Sequence, residues 1–177
     1  MFSKHKLLRA DYEKLQTMYA EAECELLRLR EMEKEHQFID RILTKDQITG
    51  VVFNRKGIKQ YICLRTYDAS IDIMLRSIHS RPPHPRLYAK IQEDYSTGRQ
   101  YGELIDIFAE GENAGNGTVL LQSLFSYLNQ LGISEVRGML SSADKDSFDK
   151  LEYFYKKNGF DVMFNEHRTS GRILLNL

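Results

Sequence analysis

From about Lys6 to Asp40 the chain contains neither proline nor glycine, and Glu, Leu, Lys, Arg, Ala and Met dominate it. Such a stretch has one regular option, a single long helix. Apolar residues recur within it every seven positions. Leu8, Leu15, Ala22 and Leu29 fall on one position, and Tyr12, Tyr19 and Leu26 on its partner. Alternating spacings of three and four make a narrow stripe, the pattern of a seam between helices. Glu33 and His36 end it. Charge does not hold the helix by itself, because Glu21–Glu25 and Glu31–Glu35 set like charges one turn apart. About 30 residues reach roughly 45 Å, longer than a small domain is wide. Two covers for the stripe stay open: the chain's own body, or a second copy in a homodimer.

After Lys45 the period changes to that of strands. Ile48–Asn54 and Ile58–Tyr67 are rich in β-branched and aromatic residues and flank Asn54-Arg55-Lys56-Gly57, which reads as a hairpin turn. Residues 69–80 fit a strand through Ile71, Ile73 and Leu75, and a helix through Ile71, Met74, Leu75 and Ile78. The run Arg81-Pro82-Pro83-His84-Pro85 is an irregular connection. A second hairpin turns at Ser96–Arg99. Beyond it the pattern alternates: strand to Ala109, helix to Gly132, strand, helix, and two closing strands. The second of these helices is expected to start at Asp144 and to stop at Asn158-Gly159. A strand–helix–strand unit of this length implies a parallel pair. The chain thus divides into an arm, residues 1–46, and a body, residues 47–177.

Composition narrows the partners. Twenty-five basic and 25 acidic side chains cancel, so no overall charge marks the chain for nucleic acid or an acidic membrane. No apolar run is long enough to span a bilayer. Cys24 and Cys63 show neither disulfide nor metal-ligand spacing, and the five histidines are scattered. The expectation is a cytoplasmic protein without a bound metal.

The stretch Gly111–Gln122, GENAGNGTVLLQ, poses the functional question. Gly115 and Gly117 stand at the mouth of a helix, where unpaired backbone N–H groups and about half a positive charge suit a phosphate. Yet Glu110 and Glu112 flank the glycines, and no Lys or Arg occurs between Arg99 and Arg137. The glycines also admit a plainer role, letting the helix pack closely on a sheet.

Glu112, Gly115 and Gly117, the following Leu-Leu pair, the strand ELIDIFAE before them and FYKKNGF after them stand in an order that resembles the GCN5-related N-acetyltransferase (GNAT) family. The resemblance covers about Gly102 to Leu177. It implies a mixed, largely antiparallel twisted sheet with helices on its faces, preceded here by the long helix. It further implies acetyl transfer from acetyl-CoA, as cosubstrate, to a primary amine on a small molecule or peptide. The coenzyme's pyrophosphate would lie on Asn113, Ala114, Gly115, Asn116, Gly117 and Thr118, and its pantetheine arm along Ile107, Phe108 and Ala109. Tyr155 aligns with the family's general acid, Glu103 with a base used by some members, and Asp106 is a weaker candidate. Tyr155 also reads as a packing residue, and Glu103 as a solvated strand carboxylate. The chain departs from the pattern at Glu112, where Gln or Arg is usual, at Asn113, where glycine is usual, and at Phe148, where an Asn contacts the pantetheine. Glu112 is expected to weaken the coenzyme severalfold, and Lys145, Lys150, Lys156 and Lys157 are charges that compensate. The rival reading is a GNAT-like fold kept as a binding or assembly module, working through the long helix.

Overall fold

The computed structural model describes residues 2–109 and 114–177, the side chains of residues 2–8 apart. It falls into two units, Met1–Thr44 and Lys45–Leu177. The first is α1 (Phe2–Leu43), 42 residues and therefore about 63 Å of helix. Salt bridges Arg9–Glu13, Arg28–Glu25 and Lys34–Glu31 lie along it, all exposed, where each contributes only a few tenths of a kcal/mol. Among the described residues no helix is long and apolar enough to cross a membrane.

The second unit is one eight-stranded sheet with two helices. In chain order it runs β1 (Gln47–Phe53), β2 (Lys59–Tyr67), β3 (Ser70–Arg76), β4 (Arg86–Asp94), β5 (Arg99–Phe108), α2 (Asn116–Gln130), β6 (Glu135–Leu140), α3 (Phe148–Lys157), β7 (Asp161–Phe164) and β8 (Gly171–Asn176). In space the strands lie β1-β2-β3-β4-β5-β6-β8-β7. Every neighbouring pair is antiparallel except β5 and β6, which α2 joins in parallel. The mixed, largely antiparallel sheet that the resemblance implies is therefore the one found.

Residues 70–76 are a strand. All five residues of β3 between its ends are buried, so apolar side chains occupy both faces and the alternation that marks a half-buried strand is blurred. Asp72 sits among them because Arg86 binds both its oxygens, at 2.8 and 3.0 Å. Asp46, with its side chain fully buried, is held by Arg65 at 2.5 Å and Arg76 at 3.0 Å.

Leu120, Leu121, Leu124 and Leu128 give α2 a fully buried face. It packs on Leu64, Ile71, Ile73, Leu87 and Leu104 of the sheet. The helix ends as expected: Gly132 is left-handed (φ 73°), and the Ile133 N–H reaches back to the Leu128 carbonyl at 3.0 Å. The α3 start differs from the sequence expectation. A 3₁₀ turn, Ser142–Ser147, occupies the stretch that contains Asp144, and the α-helix begins only at Phe148. No residue of that turn is buried, and Phe148 is the first that can anchor a helix to the core. Ser141, not Asp144, caps the turn, accepting the Ala143 N–H at 3.2 Å.

Candidate functional site

Strands β5 and β6 are joined at one end and apart at the other. Their pairing covers only Gly102–Val136, Glu103–Arg137 and Leu104–Gly138. Beyond it β5 stays paired with β4 as far as Phe108, while β6 stays paired with β8 as far as Leu140. One backbone edge of β5 from Ile105 onward therefore leaves the β5–β6 ladder. A bulge explains the parting: Tyr88 faces Asp106 and Ala89 faces Leu104, so Ile105 is the extra residue and bends the strand. At the joined end Arg137 clamps β6 to the β4–β5 hairpin. It donates to Asp94 at 2.8 Å and to Glu135, and stacks on the Tyr101 ring at 4.2 Å. Hydrogen bonds from Ser96, then Arg137, hold the Asp94 carboxyl down at about 2.

Helix α2 begins at this split. Its N-cap is Gly115, left-handed at φ 81°, and no side chain caps the first turn. A glycine is required by that φ, and it leaves the first-turn N–H groups without the Ser, Thr or Asp oxygen that usually serves them. Gly117 has a different reason. A Cβ there would stand 2.9 Å from the Phe154 ring and 3.4 Å from Ala109. The second glycine lets α3 pack against α2, a close approach of helix to helix rather than the packing of helix on sheet that the sequence admits. Ala114, Asn116 and Gly117 are buried, and Gly115 and Thr118 half-buried. Ile107 is half-buried against the core, while Phe108 and Ala109 are exposed. Asn113 and Glu112 lie outside the described residues.

A cation does reach the loop, from a segment that no local pattern connects to it. The Arg55 N–H in the β1–β2 turn donates to the Ala114 carbonyl at 3.1 Å. Its side chain passes Gly115 so closely that a Cβ on the glycine would be 3.4 Å from Nε. The turn is fixed by Asn54, whose side-chain oxygen accepts the Lys56 and Ile58 N–H groups at 2.9 and 3.0 Å. The sequence marks Asn54–Gly57 as a turn and says nothing of where its tip lands. Among the lysines of α3 expected to supply charge, Lys156 pairs with Glu152 at 2.7 Å and Lys157 lies over the Tyr153 ring at 5.9 Å.

Tyr155 is buried on α3, edge-on to Phe154 at 5.1 Å and Phe160 at 5.4 Å. Burial, with the Asp106 and then the Asp144 carboxylates adding to it, pushes its phenol up to about 12. Glu103 points the other way. Its neighbour Gly102 faces Leu128 of α2, so Glu103 lies on the opposite face of the sheet, where Gln92 donates to it at 3.2 Å. The structure thus sets Asp106, rather than Glu103, in the electrostatic reach of Tyr155.

Cys63 is buried like Tyr155, and burial is again the first cause that lifts its thiol to about 12. Both groups stay neutral in the fold after an unfolded chain would have ionised. Their contribution is therefore complete below pH 9 and is lost between pH 9 and 12, by on the order of 2–4 kcal/mol each. Thermal unfolding should show a flat midpoint from pH 7 to 9 and a steep fall above it. Cys63→Ala and Tyr155→Phe should each flatten that fall, and an unchanged slope would contradict the assignment.

No protein-family model matches the chain, and no curated protein does. Several solved structures are similar to it over part of their length. One is a chain of the NatC complex bound to Gag peptide and CoA, at 13% identity and TM-score 0.47, covering 60% of this chain and 70% of that one. A second is a protein assigned to the acetyltransferases of the GNAT family from Desulfovibrio desulfuricans, at 16% identity and TM-score 0.45, covering 62% and 68%. A third is one assigned as a streptothricin acetyltransferase from Bacillus anthracis, in complex with acetyl coenzyme A, at 11% identity and TM-score 0.46, covering 75% and 84%. Each of the three is similar to this chain over part of it, at a TM-score below 0.5.

Proposed function

We propose that the body binds acetyl-CoA and transfers its acetyl group to a primary amine. The observation that carries this reading is the parting of β5 and β6 next to an uncapped helix N-terminus. A released strand edge offers alternating N–H and C=O groups, which suit the amides of a pantetheine arm laid along Ile107, Phe108 and Ala109. The first turn of α2, from Gly115 to Thr118, offers backbone donors to the diphosphate, and Arg55 adds the charge that the acidic loop lacks.

In the reaction the amine nitrogen attacks the thioester carbonyl carbon, the C–S bond breaks, and the nitrogen gives up a proton. The β5 carboxylates, Asp106 and Glu103, are the groups that accept this proton, directly or through water. Tyr155 serves the departing sulfur. Full transfer from a phenol at about 12 to a thiolate of ordinary pKa, about 8.5, runs uphill by roughly 5 kcal/mol. Its contribution is therefore a hydrogen bond to developing charge, and coenzyme A leaves as the thiolate and takes its proton from solvent.

A second reading is favoured by the Phe154 ring, which fills the room beside Gly117. On that reading the fold is a binding or assembly module. The arm belongs to both readings as a seam between two copies. Thiol release from acetyl-CoA, followed with small amines and short peptides as acceptors, tests catalysis. Amine-dependent release is expected; binding without release with any acceptor class would leave the module.

A further inference from the structure

We infer that two copies pair through α1 in parallel and in register, an orientation that rests on reading the arm as a seam between copies. Taken by itself, the helix carries Tyr12, Tyr19 and Leu26 on one seam position and Leu15, Ala22 and Leu29 on the other, each either exposed by about half or more or, for Ala22, small. Those side chains need a cover, and charge selects the cover. In a parallel pair, the residue before each first seam position faces the residue after the second one, five places on in the partner helix. Glu25 then faces Arg30 of the other copy, twice by symmetry. Met18 faces Glu23 and Asp11 faces Gln16, neither a conflict. In an antiparallel pair with Tyr12 layered on Leu29, the flanking positions bring Arg9 against Arg30, also twice, and Glu25 gains only Met18. Only the parallel orientation gains an opposite-charge contact; each orientation sets one like-charged pair of positions together, Lys4 with Arg9 in the parallel pair and Arg9 with Arg30 in the antiparallel one. Within its own helix Glu25 holds an exposed contact with Arg28 at 3.4 Å, which it can exchange.

Ala22 reports the orientation. In parallel register residue 22 meets its own counterpart, whereas in the antiparallel pair it meets Tyr19. Cys24 is exposed and lies off the seam, so it is replaced to leave a single reporter. The test uses the full chain carrying Cys24→Ser and Ala22→Cys, with molar mass from light scattering and cross-linking read on a non-reducing gel after mild oxidation. A dimeric mass with efficient cross-linking is expected. A dimer that does not cross-link overturns the parallel orientation while leaving the seam; a monomer overturns both. Arg30→Glu, in the otherwise native chain, supplies an independent readout by sedimentation at low salt. Parallel pairing predicts about two- to fivefold weaker association, because Glu25 then faces a second carboxylate across the seam. Tighter association would instead identify the antiparallel pair, in which Arg9 gains the introduced carboxylate as its partner. Acetyl-CoA binding, measured on the same variants, should not change.

Discussion

Arg55→Glu is expected to weaken acetyl-CoA binding tenfold or more while leaving the fold intact. Arg55 is exposed, and its backbone N–H, which ties the β1–β2 turn to Ala114, survives the substitution. What changes is the charge beside Gly115. A unit charge about 6 Å from a phosphate contributes roughly 1 kcal/mol at effective dielectrics between those of a protein surface and of water. Reversal doubles the difference, and a diphosphate carries more than one charge. Residues 100–136 contain no Lys or Arg, so the loop has no cation of its own to replace Arg55. The loss should be largest at low salt and shrink as screening sets in, so the affinities of the two proteins converge with added salt. Calorimetry at two ionic strengths checks this. Equal affinity in both proteins would remove Arg55 from the phosphate site.

Tyr155→Phe is expected to cut turnover tenfold or more with little change in acetyl-CoA affinity. The phenyl ring retains the edge contacts with Phe154 and Phe160. Only the hydroxyl is lost, and with it the proposed donor to the leaving sulfur. Stability near neutral pH should be nearly unchanged, because the ring contacts remain. A packing role predicts the opposite pattern, in which turnover is untouched. Asp106→Asn and Glu103→Gln divide the base assignment. The carboxylate that accepts the amine's proton should lose turnover and its acidic pH limb, and the other should not.

Much of the sheet was legible in the sequence because its signals are local. The turns at Asn54–Gly57 and Ser96–Arg99, the stop at Gly132, and the leucine face of α2 are each encoded within a few residues. Residues 69–80 were ambiguous for a physical reason: a strand buried on both faces loses its alternation, and its apolar run then fits either period. The α3 start is not legible in the sequence because Asp144 has the chemistry of a cap, while a polar segment with nothing buried cannot hold an α-helix to the core. The site divides in the same way. Gly115 is marked by a loop-to-helix boundary, and Tyr155 by its place before the helix stop. Arg55 is not legible as a neighbour of Gly115, because that contact depends on where a distant turn lands. The reach between Asp106 and Tyr155 was likewise hidden, since a bulge at Ile105 resets which side chains face the split.

The central claim is that main-chain donors at the start of α2 hold a diphosphate. Titration of the full-length protein with acetyl-CoA, followed through its backbone amide resonances, tests it most directly. Saturable shifts are expected at Gly115, Asn116, Gly117 and Thr118, together with Ile107 and Ala109 on the released edge of β5. Saturation with those amides unmoved, or no binding at millimolar coenzyme, would contradict the account.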